Sequence, residues 1–264
     1  MNLDFHVHGI LSKKLNFNPD LFLQGIEYAK ENGLDGYILC EHFNAVDLDS
    51  TFSYLNDNFN YNDDRYIVND FSIFLGMEVD IKDSGHIIVV GNRDSIVQIR
   101  KELEPHIKKS NFISFEYLLN LGEKYDCLMI GSHPYREKHK LFIQPEHLLK
   151  RLHGLDLNSK DIYKRGRKVV ELEVSNLAKK LGISYVTGSD SHYHIQLGVV
   201  RTCFYKDCST IKELKEAIKN HEYTIEISNS LNLRVYTAKI AKNSIKKKIK
   251  QDRVSGFKES IKNR

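Results

Sequence analysis

Asp4-Phe5-His6-Val7-His8, at the start of a 264-residue chain, alternates polar and apolar side chains and reads as a short β-strand. Alternate residues of a strand point the same way, so His6 and His8 project together, with Asp4 behind them on the same face. Two neighbouring imidazoles offering nitrogen lone pairs suit a metal ion. A single His-x-His is weak evidence. What gives it weight is repetition, because later β-runs also end in His, Asp or Glu.

Residues 36–42 form such a run and end in Glu41-His42, and residues 71–77 lead directly into Glu78. Asp83-Ser84-Gly85 reads as a tight turn, returning the chain as a run over 86–91 that begins with His86. Residues 127–132 run into His133-Pro134, residues 169–175 form a sixth run, and residues 183–188 lead to Asp190 and His192. Helices alternate with these runs. Asn18-Pro19 starts one as N-cap and first helical residue, Leu21, Phe22, Gly25, Ile26 and Ala29 make its stripe, and Gly33 closes it. Further helices are expected over 95–103, 114–125, 177–181 and 210–220, and residues 43–70 read as a long polar excursion.

Seven β-runs alternating with helices imply an α/β fold with a parallel sheet. The polar signatures gather at the C-terminal ends of the runs, where such folds carry their function. That co-location selects a closed barrel over an open sheet. His106, His139, His147, His153, His194 and His221 lie off these ends and are set aside.

The collected donors exceed the needs of one mononuclear site. Imidazole and carboxylate without thiolate suit zinc, manganese or iron rather than calcium. Glu78 can bridge two cations, and closely spaced cations stabilise the attacking and leaving oxygens of phosphoester cleavage. Asp4 is expected to orient one imidazole.

Bulk properties agree with a soluble enzyme or binding protein. The hydrophobic fraction is 41% and the charged fraction 28%, with no run as long as a membrane span and no signal-peptide pattern, so a cytoplasmic location is expected. The four cysteines form no C-x-x-C pair, which argues against a disulfide framework or a zinc-thiolate site. Net charge is +4, yet residues 234–264 hold eleven Lys or Arg against Asp252 and Glu259, leaving a mildly acidic body. The expected division is a barrel domain over 1–233 and a basic tail over 234–264, helical or partly mobile. Ala238, Ala241, Ile245 and Ile249 fall at helical spacing among lysines. Such a helix can pack on the barrel, contact nucleic acid or lie on a membrane surface.

The motif order Asp-x-His-x-His, Glu-His, Gly-x-Glu, a hairpin His, Ser-His-Pro-Tyr-Arg and Gly-Ser-Asp-Ser-His resembles the PHP (polymerase and histidinol phosphatase) family over about residues 1–228. The resemblance implies a distorted seven-stranded (β/α)7 barrel holding two or three divalent metal ions (Mn, Fe or Zn). It makes His6, His8, His42, Glu78, His86, His133, Asp190 and His192 the ligands. It also implies phosphoesterase activity, most simply on a small phosphomonoester, as in a histidinol-phosphate phosphatase. The alternatives are a phosphodiesterase or 3'-5' exonuclease on nucleic acid, reached through the basic tail, and a PHP-like binding subunit without turnover. Arg136 is a candidate phosphate clamp, because a guanidinium can bind phosphate oxygens bidentately, and Arg201 is a second candidate. The chain departs from the family at Lys13-Lys14, where relatives often place a metal-binding Asp or His. A lysine there leads us to expect two tightly held metals, an occasional third, and Lys14 acting on a substrate phosphate.

Overall fold

The computed structural model describes residues 1–262, so the last two residues of the expected tail lie outside it. The first half of the chain contains β1 (Asn2–Val7), α1 (Pro19–Glu31), β2 (Gly36–His42), α2 (Leu48–Asn58), β3 (Asn60–Asn62), β4 (Arg65–Val68), β5 (Phe71–Asp80), β6 (His86–Val90), α3 (Arg93–Glu102), α4 (Phe115–Lys124) and β7 (Leu128–Ser132). Then follow α5 (Glu146–Leu149), β8 (Gly154–Asn158), α6 (Ser159–Arg165), α7 (Arg167–Leu181), β9 (Ser184–Gly188), β10 (Val200–Phe204), α8 (Ile211–Lys219), β11 (Tyr223–Ile227) and α9 (Leu231–Lys262).

Nine strands make one barrel-shaped sheet in the order β11-β10-β1-β2-β5-β6-β7-β8-β9, and β3 and β4 extend it beside the N-terminal half of β5. β1, β2 and β5 run parallel, as do β7, β8 and β9, while β6 is antiparallel to both β5 and β7. That reversal follows from the Asp83-Ser84-Gly85 turn. Just beyond β9 the chain reaches back to β1: the amide of His8 donates to the carbonyl of Ser191 at 2.8 Å, and that of Asp190 to His6 at 2.7 Å. The sheet is therefore nearly closed, as the strand-end signatures imply.

Phe5, Ile38, Phe74, Ile88, Ile130 and Val186 come from six different strands and form one buried cluster with Ile211, Leu214 and Ile218 of α8. Residues spread around the sheet can meet only inside it, so this is the barrel interior. Phe74 and Glu78 lie on the same face of β5, so the apolar interior passes upward into a polar layer. Helices other than α8 pack outside through a larger cluster containing Phe22, Ile26, Ile96, Leu118 and Val174.

Several local signals act as the sequence suggests. The side chain of Asn18 accepts from the amide of Leu21 at 2.9 Å, Ser114 accepts from Tyr117 at 3.2 Å, and Thr210 forms a capping box with Glu213. Other expectations need correction. Residues 169–175 are not a strand but part of α7, which also absorbs the short helix expected at 177–181. Glu171 and Glu173 between apolar residues mimic a period of two, but Val170, Val174, Leu177, Ala178 and Leu181 are buried at helical spacing. The strand in that part of the barrel is β8, Gly-Leu-Asp-Leu-Asn, wholly buried despite its polar Asp156 and Asn158. The excursion over 43–70 holds α2, β3 and β4.

The basic C-terminal segment begins inside a packed helix. Leu231, Val235 and Ala238 of α9 are buried, and the Arg234 guanidinium donates to the carbonyls of Ile195 and Leu197. A division at residue 233 thus falls within α9. No helix among the described residues is long and apolar enough to cross a membrane.

Candidate metal centre

The strand ends bring all eight expected ligands into one cluster. His6 and His8 come from the end of β1, His42 from β2, Glu78 from β5, His86 from the start of β6, His133 from beyond β7, and Asp190 and His192 from beyond β9. Ring centroids lie 4.1 Å apart for His8 and His192, 4.6 Å for His8 and His42, 5.0 Å for His86 and His133, and 5.2 Å for His6 and His8. Glu78 stands among five of these rings. Its Oε1 lies 2.8 Å from His86 Nδ1, 3.0 Å from His133 Nε2 and 3.5 Å from His6 Nε2; its Oε2 lies 3.1 Å from His42 Nδ1 and 3.6 Å from His8 Nε2.

Three groups each have donor atoms within 4.8 Å of one another, the first two sharing His8: His8, His42 and His192; His6, His8 and Asp190; Glu78, His86 and His133. His6 Nε2 and both ring nitrogens of His8 are buried without a hydrogen-bond partner. Burying such nitrogens unpaired is costly, and divalent cations coordinated by these lone pairs would satisfy them. The residues present therefore fit one or more divalent metal ions. His133 and Asp190 also hold positive φ angles of 30° and 52°, backbone strain of the kind found where a side chain must be aimed.

His6 Nδ1 faces Asp156 Oδ2 of β8 at 2.9 Å, which fixes the ring with Nε2 turned toward the cluster. Asp156 is itself held by Asn158 Nδ2 at 2.8 Å. Asp4, expected to orient an imidazole, instead accepts from the backbone amides of His6 at 3.1 Å and Ser189 at 2.9 Å, tying β1 to the end of β9. Glu41 accepts from the amide of Ile10 at 2.6 Å and lies 3.6 Å from His8 Nδ1. Gly188 is required where β9 crosses β1, since a Cβ there would collide with His6 and Asp156.

The charges are strongly coupled. Burial alone would raise the Glu78 pKa, but His86, His6 and His42 hold it well below the usual carboxylate range. Burial likewise opposes ionisation of Asp190, and Lys160 and Arg136 outweigh it. His86 is pushed up to about 9 because Glu78 and Asp80 overcome its burial, whereas burial keeps His133 and His192 well below the usual imidazole value. Asp4 is pushed up to about 7 by burial.

The expected phosphate contacts fare differently. Arg136 reaches the cluster, but its three terminal nitrogens are engaged: Nε with Asp161 at 3.0 Å, Nη1 with Asp190 at 2.7 Å and Nη2 with Asn158 at 2.8 Å. It positions Asp190 and does not stand free as a clamp. Arg201 lies away from the cluster, beside Asn32 and Gly33 ahead of β2, paired with Glu226 at 2.6 Å. Lys14 is exposed, while Lys13 turns inward, its Nζ 3.5 Å from Asn44 Oδ1. Besides Arg136, Lys160 also stands against the ligands, its Nζ 2.7 Å from Asp190 Oδ1 and 3.4 Å from His192 Nδ1.

His139 and Asp80 are additions that strand-end reasoning overlooked. With His86 they make a fourth group of donors within 4.8 Å, and the His139 and His86 rings are 4.0 Å apart. His139 arrives on the loop after β7, so no strand end marks it. Asp80 has a signal, being two residues beyond Glu78 on the same face of β5.

A family described as PHP-associated matches residues 173–223. The structure of PsfC from Pseudomonas syringae PB-5123 superposes with a TM-score of 0.76 at 19% identity, covering 92% of this chain and 98% of that one. The lesion-specific endonuclease PfuEndoQ from Pyrococcus furiosus gives 0.64 at 19% identity, covering 85% of this chain. Endonuclease Q in complex with a 27-mer duplex carrying an abasic lesion gives 0.61 at 19% identity, covering 86%. This chain spans 57% and 58% of those two chains. No curated protein matches it. At these identities the superpositions establish a shared fold. The matched family segment, residues 173–223, lies within that fold and runs from α7 through the Asp190 and His192 strand end to β11.

Proposed function

We propose that the protein is a metal-dependent phosphoesterase acting on a small phosphomonoester, with His6, His8, His42, Glu78, His86, His133, Asp190 and His192 as its ligand set. The observation that carries this reading is Glu78 at the centre of five imidazoles, with Asp190 facing the same His8 nitrogen, Nε2, at 3.4 Å. Two or three divalent ions bound there would supply Lewis acidity and an activated water. Manganese, iron or zinc suits the donor set. The chain's own residues prepare the site. Asp156 holds His6 in one tautomer, and Arg136 and Lys160 keep Asp190 ionised and aimed. Lys160, at the edge of the ligand layer, is placed to take a phosphate oxygen of the substrate as a point charge.

A second reading is phosphodiester cleavage in nucleic acid. It is favoured by the basic α9 and by the likeness to an endonuclease whose structure includes a DNA duplex. Assaying a panel of phosphomonoesters against single-stranded and duplex oligonucleotides, with and without chelator, separates the two. Metal-dependent release of phosphate from small monoesters supports the first reading. Turnover confined to oligonucleotides replaces it with the second.

A further inference from the structure

Beside the ligand cluster, α6, α9 and the loop carrying His192 enclose a cavity of about 490 Å3. Its walls include Lys160, Tyr163, His192, Tyr193, Lys242 and Lys246, and no carboxylate is among its lining residues. Lys160 is paired with Asp190, but no carboxylate of residues 1–249 lies within 4 Å of Lys242 or Lys246. Both are partly buried. Ammonium groups gathered in a half-buried cleft repel one another and lose hydration, so the arrangement is costly unless an anion joins it. The crowding shows in Lys242, which burial and then Lys160 and Lys246 push down to about 7. The cavity is of the size that holds small ligands, and its two tyrosines offer flat surfaces for an organic group.

We propose that this cavity is a second anion subsite, and that the substrate is a small organic phosphate carrying a further carboxylate or phosphate held by Lys242 and Lys246. This rests on the phosphoesterase reading for its orientation: the scissile phosphate lies at the histidine cluster, and the second anion lies across Lys160, which borders both. It also gives α9 a role, since the turns that pack on the barrel through Val235 and Ala238 carry Lys242 and Lys246 to the site. The lysines form a compact group around a cavity, which suits a small molecule better than an extended strand.

The test has a binding arm and a turnover arm. Sulfate is titrated calorimetrically into metal-free protein at constant ionic strength, comparing wild type with Lys242→Gln/Lys246→Gln and Lys242→Arg/Lys246→Arg. The glutamine pair should lose at least tenfold in affinity and the arginine pair should keep it. In metal-loaded protein, kcat/KM for 3-phosphoglycerate and for 2,3-bisphosphoglycerate is divided by that for glycerol 3-phosphate. At least one ratio should exceed ten in wild type and fall at least tenfold in the glutamine pair, and the larger ratio tells whether carboxylate or phosphate is favoured. Unchanged sulfate affinity, or ratios near one in wild type, would overturn the proposal. So would lysine-dependent cleavage of single-stranded oligonucleotides in preference to every small ester. If no phosphomonoester is turned over, the phosphoesterase reading fails, and the sulfate titration still decides the subsite.

Discussion

Removing Asp156 should weaken metal binding although Asp156 lies in no ligand group. Its carboxylate is fully buried and faces His6 Nδ1 at 2.9 Å, so it fixes which nitrogen of His6 is turned to the cluster. A charge-assisted hydrogen bond of this kind is worth about 1.5–3 kcal/mol. If most of that energy serves to orient His6, Asp156→Ala should lower metal affinity by about 10–100-fold, the usual cost of losing such a partner. Asp156→Asn should do less, on the order of threefold to tenfold, because a carboxamide oxygen can still accept from Nδ1 and from Asn158 but carries no charge. Affinity is measured by competition against a fluorescent chelator for zinc and manganese, with the melting of metal-free protein recorded in parallel. Both variants binding metal within twofold of wild type, while folded, would refute the idea that Asp156 positions His6 for coordination.

Other perturbations reach different parts of the account. His8→Ala and Asp190→Ala should each lose most bound metal by elemental analysis and nearly all phosphatase activity; full retention of both by both variants would place the site elsewhere. Arg136→Leu leaves buried Asp161 and Asp190 without their guanidinium partner, so chemical denaturation should show a loss of about 3 kcal/mol. A loss under about 0.5 kcal/mol would show that Lys160 and solvent compensate. His153 accepts from the amide of Met129 at 3.1 Å, and burial pushes its pKa down to about 4 from a usual 6.5. Between those values the unfolded chain binds a proton that the folded one does not. Metal-free stability should therefore fall as pH drops from 6.5 to 4, by at most about 3 kcal/mol, and His153→Gln should flatten that slope.

The strand-end rule made most of the cluster visible in the sequence. It needs only a β-run and the polar residue that follows, and it brought His6, His42, Glu78, His133 and Asp190 to one rim. It failed where the backbone departs from that form. His139 reaches the cluster on a loop, and nothing local distinguishes it from a surface histidine. Asp156 was hidden because β8 is five residues long and carries two acceptors, so it did not look like a strand. The same reading mistook Val169–Ser175 for a strand, since period two and period 3.6 coincide over a few residues alternating with glutamates. Arg136 is legible beside His133, but the acceptors it meets are not. Which acceptors surround a guanidinium depends on Asp161 and Asp190, 25 and 54 residues away.

The most direct test of metal-dependent phosphomonoester hydrolysis is one reconstitution experiment. Protein is stripped with chelator, metal content is verified by elemental analysis, and phosphate release from a panel of small phosphomonoesters is followed as Mn, Fe or Zn is restored. The account predicts no turnover in the stripped protein, recovery with added metal, and saturation at two or three ions per chain. Equal turnover in stripped and reconstituted protein, or saturable metal binding with no ester hydrolysed, would contradict it.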